Sequence, residues 1–286
     1  MFTAFACGMF EGERGKDLLA RLRSRGTNGF RGAFAECQAC WILAGKLKLG
    51  VDPSARGRGG KNLDLVVVLN GRVVGVEVKA PLRERSNERI EYGDDSDKIQ
   101  QAMESANRQF PDDQPNLLVL SPSLRWPLHS NRRDLLKAAF GASKITWTVD
   151  LKTGEGGPAE SRFFPEGKFL NTERPGGKPL KPDGLPAFRR ISAIVVAEEV
   201  LREKYPFPKP FALFDEETRD QIWPLWEHQR ELHGSDENEI WIDHEVLVLH
   251  NPYAYHAISQ QTFAMFPQLI PAGDEMRWTD GEKIIV

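Results

Sequence analysis

The dipeptide Asn70-Gly71 sits between two β-branched runs, LDLVVVL at residues 63–69 and RVVGVEVKA at residues 72–80. No other short-range signal constrains the fold as strongly. A two-residue type I′ turn needs positive φ at both positions, and Asn-Gly supplies it. A two-residue loop also fixes the register, so that Leu69 faces Arg72, Val68 faces Val73 and Asp64 faces Glu77. The two carboxylates are then expected on one face of the sheet with Cα atoms about 5 Å apart. Lys79 lies two residues beyond Glu77 and shares that face. The rest of the hairpin is apolar on both sides (Val66, Val67, Val68, Val73, Val74, Val76, Val78), which predicts a central pair covered on both faces.

Two like charges directly opposite each other on such a pair repel, and both are costly to desolvate. A bound divalent cation offsets that cost. Mg²⁺ in particular favours one or two carboxylates, several waters and a substrate phosphate. Lys79 would then face the scissile phosphate. The other account of the same residues is a solvent-exposed strand end, with Lys79 pairing with one of the two acids.

Two helices are expected before the hairpin. Residues 13–25 carry Leu18, Leu19 and Leu22 and end at Gly26; residues 33–49 carry an apolar stripe through Phe34, Cys37, Trp41 and Ala44, with Glu36 pointing inward. A Gly-rich loop, 50–62, holds Arg56, Arg58 and Lys61 and leads directly into Asp64. After the hairpin, a helix capped by Asp94, Asp95 or Ser96 should run to about Phe110. Strands are expected at Asn116–Leu120, Lys144–Leu151, Ile191–Val196 and Glu245–His250. Residues 152–189, rich in Gly and Pro, read as a long loop or linker. This order predicts an α/β chain with a mixed central sheet flanked by helices. The expected division is a core at 1–151, the linker at 152–189 and an α+β extension at 190–286 that packs on or extends the same sheet.

Charge is distributed unevenly. Residues 14–61 hold eleven Lys and Arg against three acids, a local +8, while the whole chain carries −3. A basic field of that kind can hold a polyanion even on a slightly acidic protein, or it can be a solvated helix face plus a charged loop. The longest apolar runs fall far short of the ~20 residues that a bilayer span needs. The N-terminus lacks a basic n-region, and three cysteines are too few for a disulfide scaffold, so a cytoplasmic protein is expected.

The pattern Asp64, twelve residues, then Glu77-Val78-Lys79 resembles the PD-(D/E)XK nuclease superfamily, with Leu63-Asp64 in the place of its Pro-Asp. That superfamily's restriction-endonuclease-like core is a helix, three strands, a helix and a strand. Glu36 matches the additional acidic residue that many members carry on the first helix. The helix near Ser96–Phe110 and the strand Asn116–Leu120 match the last two elements, so the resemblance covers roughly residues 30–121. The first of its three strands falls on Lys46–Val51 or within the Gly-rich loop. More distantly, ISAIVV at 191–196 and His250-Asn251-Pro252-Tyr253-Ala254 resemble the tails of uncharacterised bacterial restriction-like proteins.

The resemblance implies a nuclease that hydrolyses phosphodiester bonds, of DNA in preference to RNA, and leaves a 5′-phosphate. A role in bacterial defence or DNA processing would follow. Asp64 and Glu77 would bind Mg²⁺ or Mn²⁺, with the Val78 carbonyl as a further ligand and Glu36 ligating directly or through water. Lys79 would orient the attacking water and stabilise charge in the transition state. Arg56, Arg58 and Lys61 would track phosphates, and Gln100 and Gln101 would orient a water or touch the substrate backbone. A homo-oligomer or an activating protein partner is compatible with this scheme. The rival is a nucleic-acid-binding or assembly module that keeps the fold without turnover.

Other motifs carry less. Cys37-x-x-Cys40 lacks the second half of a zinc site and fits better as core packing, although a zinc enzyme using both with a distal His is a third idea. The histidines between His228 and His256 have neither metalloprotease nor zinc-finger spacing. No P-loop and no nucleophile elbow is present. Trp223, Trp226, Trp241 and Trp278 read as core or interface residues rather than base-stacking platforms.

Overall fold

The computed structural model describes residues 8–24, 27–52, 62–81, 96–121, 132–141, 143–146, 153, 160–163, 167–174, 178–179, 183–203, 240–272, 275–279 and 283–285. Its helices are α1 (Gly12–Arg23), α2 (Thr27–Cys40), α3 (Ser96–Gln109) and α4 (Arg132–Phe140). The chain of α2 continues into a single π-helical stretch, Trp41–Lys46. The strands are β1 (Gly50–Asp52), β2 (Leu65–Leu69), β3 (Arg72–Lys79), β4 (Asn116–Leu120), β5 (Ser143–Thr146), β6 (Glu160–Phe163), β7 (Glu173–Arg174), β8 (Lys178–Pro179), β9 (Ala193–Glu203), β10 (Ile240–His250), β11 (Gln268–Ala272), β12 (Glu275–Trp278) and β13 (Lys283–Ile285).

Nine of these strands form one mixed sheet, in the order β1-β2-β3-β4-β9-β10-β11-β12-β13. β1, β2 and β3 run antiparallel, whereas β4 lies parallel to β3 and β9 lies parallel to β4. The protein is therefore a mixed α/β chain. β5 pairs with β6 and β7 with β8 in two separate small sheets, so the strand expected from Lys144 lies outside the main sheet, and residues 147–151 lie outside the described residues. The 152–189 segment carries β6, β7 and β8, and places Phe169 fully buried against Phe140 at 5.8 Å between ring centroids. Two compact units emerge: 1–198 with 246–286, and 199–245. Of the second, only the strand segments 199–203 and 240–245 are described.

The hairpin has the register that its turn dictates. Leu65 pairs with Val76, Val67 with Val74 and Leu69 with Arg72. Asn70 and Gly71 both have positive φ, 49° and 76°, which matches the right-handed strand twist. Alternation then sorts the side chains. Leu65, Val67, Val74, Val76 and Val78 join a core with α1 and α2, while Val66, Leu118 and Leu120 join a second core with α3 and α4. The expectation that both hairpin faces are covered fails at the turn end: the cross-strand partners Val68 and Val73 are 51% and 48% exposed. The packed helices reach the half of the hairpin that carries Leu65 and Val76, and the tip projects past them.

The N-terminal ends of β4 and β9 are joined by a network of neutral polar groups. The Asn116 side-chain amide donates to the carbonyls of Pro111, Gln114 and Arg190, each at 3.0 Å. The Ser192 hydroxyl accepts the Asn116 amide at 2.9 Å and donates to the His256 carbonyl at 2.6 Å. Asn251 donates through its side chain to Phe188 and Ile191, and its own amide reaches the Ser192 carbonyl. This accounts for the His250-Asn251-Pro252-Tyr253-Ala254 run, which anchors the return from β10. Gly75 is required here, because a Cβ at that position would lie 2.5 Å from Asn116 Oδ1. Among the described residues, no helix is long and apolar enough to cross a membrane.

Candidate functional site

Asp64 stands in a bend immediately before β2, one step beyond the last hairpin pair, Leu65 with Val76. The register therefore sets it opposite Glu77. One of its carboxylate oxygens, Oδ2, accepts the Val78 amide at 2.7 Å. That amide lies past the end of β2, and the side chain takes the place of the missing ladder partner. Glu77 is completely buried beside Leu118 of β4. Lys79 follows on the same face and donates from Nζ to Glu77 Oε2 at 2.7 Å.

The Glu77 carboxyl is pushed up to about 7. Burial is the main cause and the charge of Asp64 adds to it, while Lys79 opposes both. Like charges facing each other on a covered strand pair shift a carboxyl in this direction. The pair is held close and carries an unfavourable charge.

Glu36 projects from α2 and is also buried, but it is committed elsewhere. The guanidinium of Arg21 on α1 donates to both of its oxygens, at 2.7 and 3.1 Å. Burial raises the Glu36 carboxyl, Arg21 pulls it back, and the charge of Asp64 raises it again. The same pairing raises the Arg21 guanidinium, helped by Asp17. Glu36 thus feels Asp64 electrostatically while its oxygens are engaged by arginine. Helix α1 makes a second contact: Arg14 donates to the backbone carbonyl of Asp64.

Neutral groups complete the surround. The Ser121 amide donates to the Lys79 carbonyl at 2.9 Å, and the Ser121 hydroxyl donates to Gln38 Oε1 on α2. Arg14, Arg21, Gln38 and Ser121 were not singled out by the sequence reading. Arg14 and Arg21 entered it only as part of the basic segment, yet their seven-residue spacing puts both on one stripe of a helix.

The remaining expected residues distribute as follows. Val78 contributes its amide to Asp64. Gln100 is half-buried and Gln101 exposed on α3. Arg56, Arg58 and Lys61 lie outside the described residues. Part of the basic segment is spent internally, since Arg21 pairs with Asp17 and Glu36, Lys16 with Glu13, and Lys46 stacks over Trp41. Cys37 and Cys40 are free thiols buried in the α2 core, and burial pushes the Cys37 thiol up.

Among the described residues, no three His, Cys, Asp or Glu side chains are grouped closely enough to hold an ion between them. The donor set is a carboxylate pair, Asp64 and Glu77, with oxygen chemistry only. Such a pair suits a hard cation that keeps its own waters and does not suit zinc. No family model, curated protein or solved structure matches the chain. Fold and site therefore define a mixed α/β protein in which a buried glutamate faces a half-buried aspartate beside a lysine.

Proposed function

We propose that this chain is a Mg²⁺- or Mn²⁺-dependent nuclease with a restriction-endonuclease-like core, hydrolysing phosphodiester bonds of DNA in preference to RNA. The observation that carries the reading is the fully buried Glu77 carboxyl, raised by burial and by the half-buried Asp64 opposite, with Lys79 held against it. The element order α2, β1, β2, β3, α3, β4 supports it, being the helix, three strands, helix and strand that the sequence resemblance leads one to expect.

Asp64 and Glu77 would hold the cation, whose charge relieves their repulsion. When bound, it would lower the pKa of a water and neutralise charge on the phosphate. Glu77 keeps the Lys79 ammonium in place beside the pair, where it can donate to the attacking water or to a phosphate oxygen as negative charge grows. The water oxygen would form the new bond to phosphorus and give up a proton to solvent, the bond to the 3′ oxygen would break, and that oxygen would take a proton from solvent. A 5′-phosphate and a 3′-hydroxyl result. Glu36, engaged by Arg21, has the outermost place.

The same ion pairs would also be found in a binding module without turnover, so the test measures both properties. Titration with MgCl₂ or MnCl₂ should raise the midpoint of thermal unfolding, since an ion that binds only the folded state stabilises it. Labelled single- and double-stranded DNA and RNA should be incubated with and without Mn²⁺. Cleavage of DNA that depends on Mn²⁺ supports the nuclease. Binding without cleavage in every arm favours the module, and no midpoint shift with either ion removes the metal site.

A further inference from the structure

We propose that Arg14 is a positioning residue for Asp64, so that helix α1 sets one half of the carboxylate pair in place; this rests on the cation-binding reading of that pair. The argument begins with the backbone of Asp64. It lies in a bend outside β2, so the antiparallel ladder that fixes Leu65 onward does not fix Asp64. Its carboxylate must nevertheless stay opposite Glu77, against like-charge repulsion that tends to drive it away. The Val78 amide holds one carboxylate oxygen, but the backbone of the bend needs a restraint of its own.

Arg14 supplies that restraint. Its guanidinium donates to the Asp64 carbonyl from fifty residues away in sequence. Its charge also lowers the Glu36 carboxyl, which sets the guanidinium near both acids. The helix that carries Arg14 is itself fixed. Arg21, two turns further along the same stripe, grips Glu36 through two hydrogen bonds. At the other end, Met9 and Leu18 are buried in the core that α1 shares with α2 and the hairpin. A helix anchored at both ends can hold a bend at a set distance. A freely moving arginine could not.

The Val78 amide reports the position of Asp64 without any metal or substrate, because it donates to Asp64 Oδ2. Hydrogen exchange should therefore be measured for Val78 in the full-length protein and in Arg14→Ala, Arg14→Lys and Asp64→Ala, with Val119 of β4 as the control amide. Arg14→Ala should lose Val78 protection about tenfold or more and leave Val119 unchanged. Asp64→Ala should lose it similarly, and the double variant should lose little more. Arg14→Lys, which keeps a donor and the charge, should restore part. In parallel, calorimetric Mn²⁺ affinity should fall about tenfold to a hundredfold in Arg14→Ala, the range for residues that orient metal ligands.

Wild-type protection of Val78 in both Arg14→Ala and Arg14→Lys overturns the proposal, whatever the metal does. Loss of Val78 protection in a protein whose wild type binds no Mn²⁺ overturns the nuclease reading and leaves the anchoring of Asp64 standing. Loss of protection together with unchanged Mn²⁺ affinity overturns the positioning role.

Discussion

The two ends of β4 bury polar groups in opposite ways, about 13 Å apart along the strand. At its start, Asn116, Ser192 and Asn251 are neutral, and each is tied to backbone carbonyls or amides by bonds of 2.6 to 3.0 Å. At its end, beside Leu118 and Leu120, lie the charged residues Glu77 and Lys79 of β3, with Asp64 across the hairpin. The neutral network satisfies its members and gains from it. The charged cluster keeps a carboxyl raised to about 7 in a place where an aliphatic residue would pack without penalty. Burial alone therefore does not single out a candidate site; burial with an unfavourable charge does.

The largest effect that can separate the two ends is catalytic. Asp64→Ala and Glu77→Ala should each reduce cleavage of a labelled duplex by about 10³-fold or more, near 4 kcal/mol of transition-state stabilisation. Lys79→Ala should lose about 10²–10³-fold in rate yet bind Mn²⁺ as tightly as wild type or tighter, because a competing positive charge has gone. Asn116→Ala should leave the Mn²⁺ affinity of the folded protein unchanged. Calorimetry beside the cleavage assay reads all four.

Stability should move in opposite directions at the two ends. Asn116→Ala strands three carbonyls and should cost about 2–4 kcal/mol in urea unfolding. Glu77→Gln replaces a carboxyl that folding favours in its protonated form, and should stabilise the metal-free protein by roughly 1–2 kcal/mol at pH 8. The sign follows from the raised carboxyl: the folded state favours the protonated form, so wild type loses stability as pH rises from about 4.3, the unfolded value, through about 7. The two proteins should therefore converge near pH 4. Equal stability at pH 8 would erase the contrast.

The smallest effect concerns His250, which opens the neutral end. It is buried, bonded through Nε2 to Gln268 Oε1 at 2.9 Å, and burial lowers its pKa. Its neutral form is favoured on folding, so its contribution is complete above about pH 6.5 and is lost as pH falls below that value toward the lowered one. Wild type should lose more stability than His250→Gln between pH 7 and pH 5. Parallel pH profiles would mean that a charge is tolerated there.

What the sequence revealed divides along similar lines. The hairpin register was legible because one dipeptide fixes it locally, and α3 and β4 were legible because their periodicity is strong. Three-residue β1 was bracketed only to Lys46–Val51 or the Gly-rich loop, and the π-helical stretch after α2 was not legible, since both depend on what packs against them. Glu36 could be found as an inward acid, but its arginine partner could not, because a pairing across fifteen residues is decided by how two helices cross. Arg14, Gln38 and Ser121 share that reason: each bonds a group that only the tertiary fold brings near.

The turn at Asn70-Gly71 has a further consequence for the order in which these pieces come together. Asp64 and Glu77 are separated by twelve residues and meet by closing one tight hairpin, whereas Arg14 reaches Asp64 across a separation of 50. The entropy of closing the longer loop is greater by about 1 kcal/mol, and it is recovered only after α1 has docked. Chain statistics thus favour a nascent chain in which the two acids face each other while still unclamped. The arginine arrives second, onto a bend that the hairpin has already drawn.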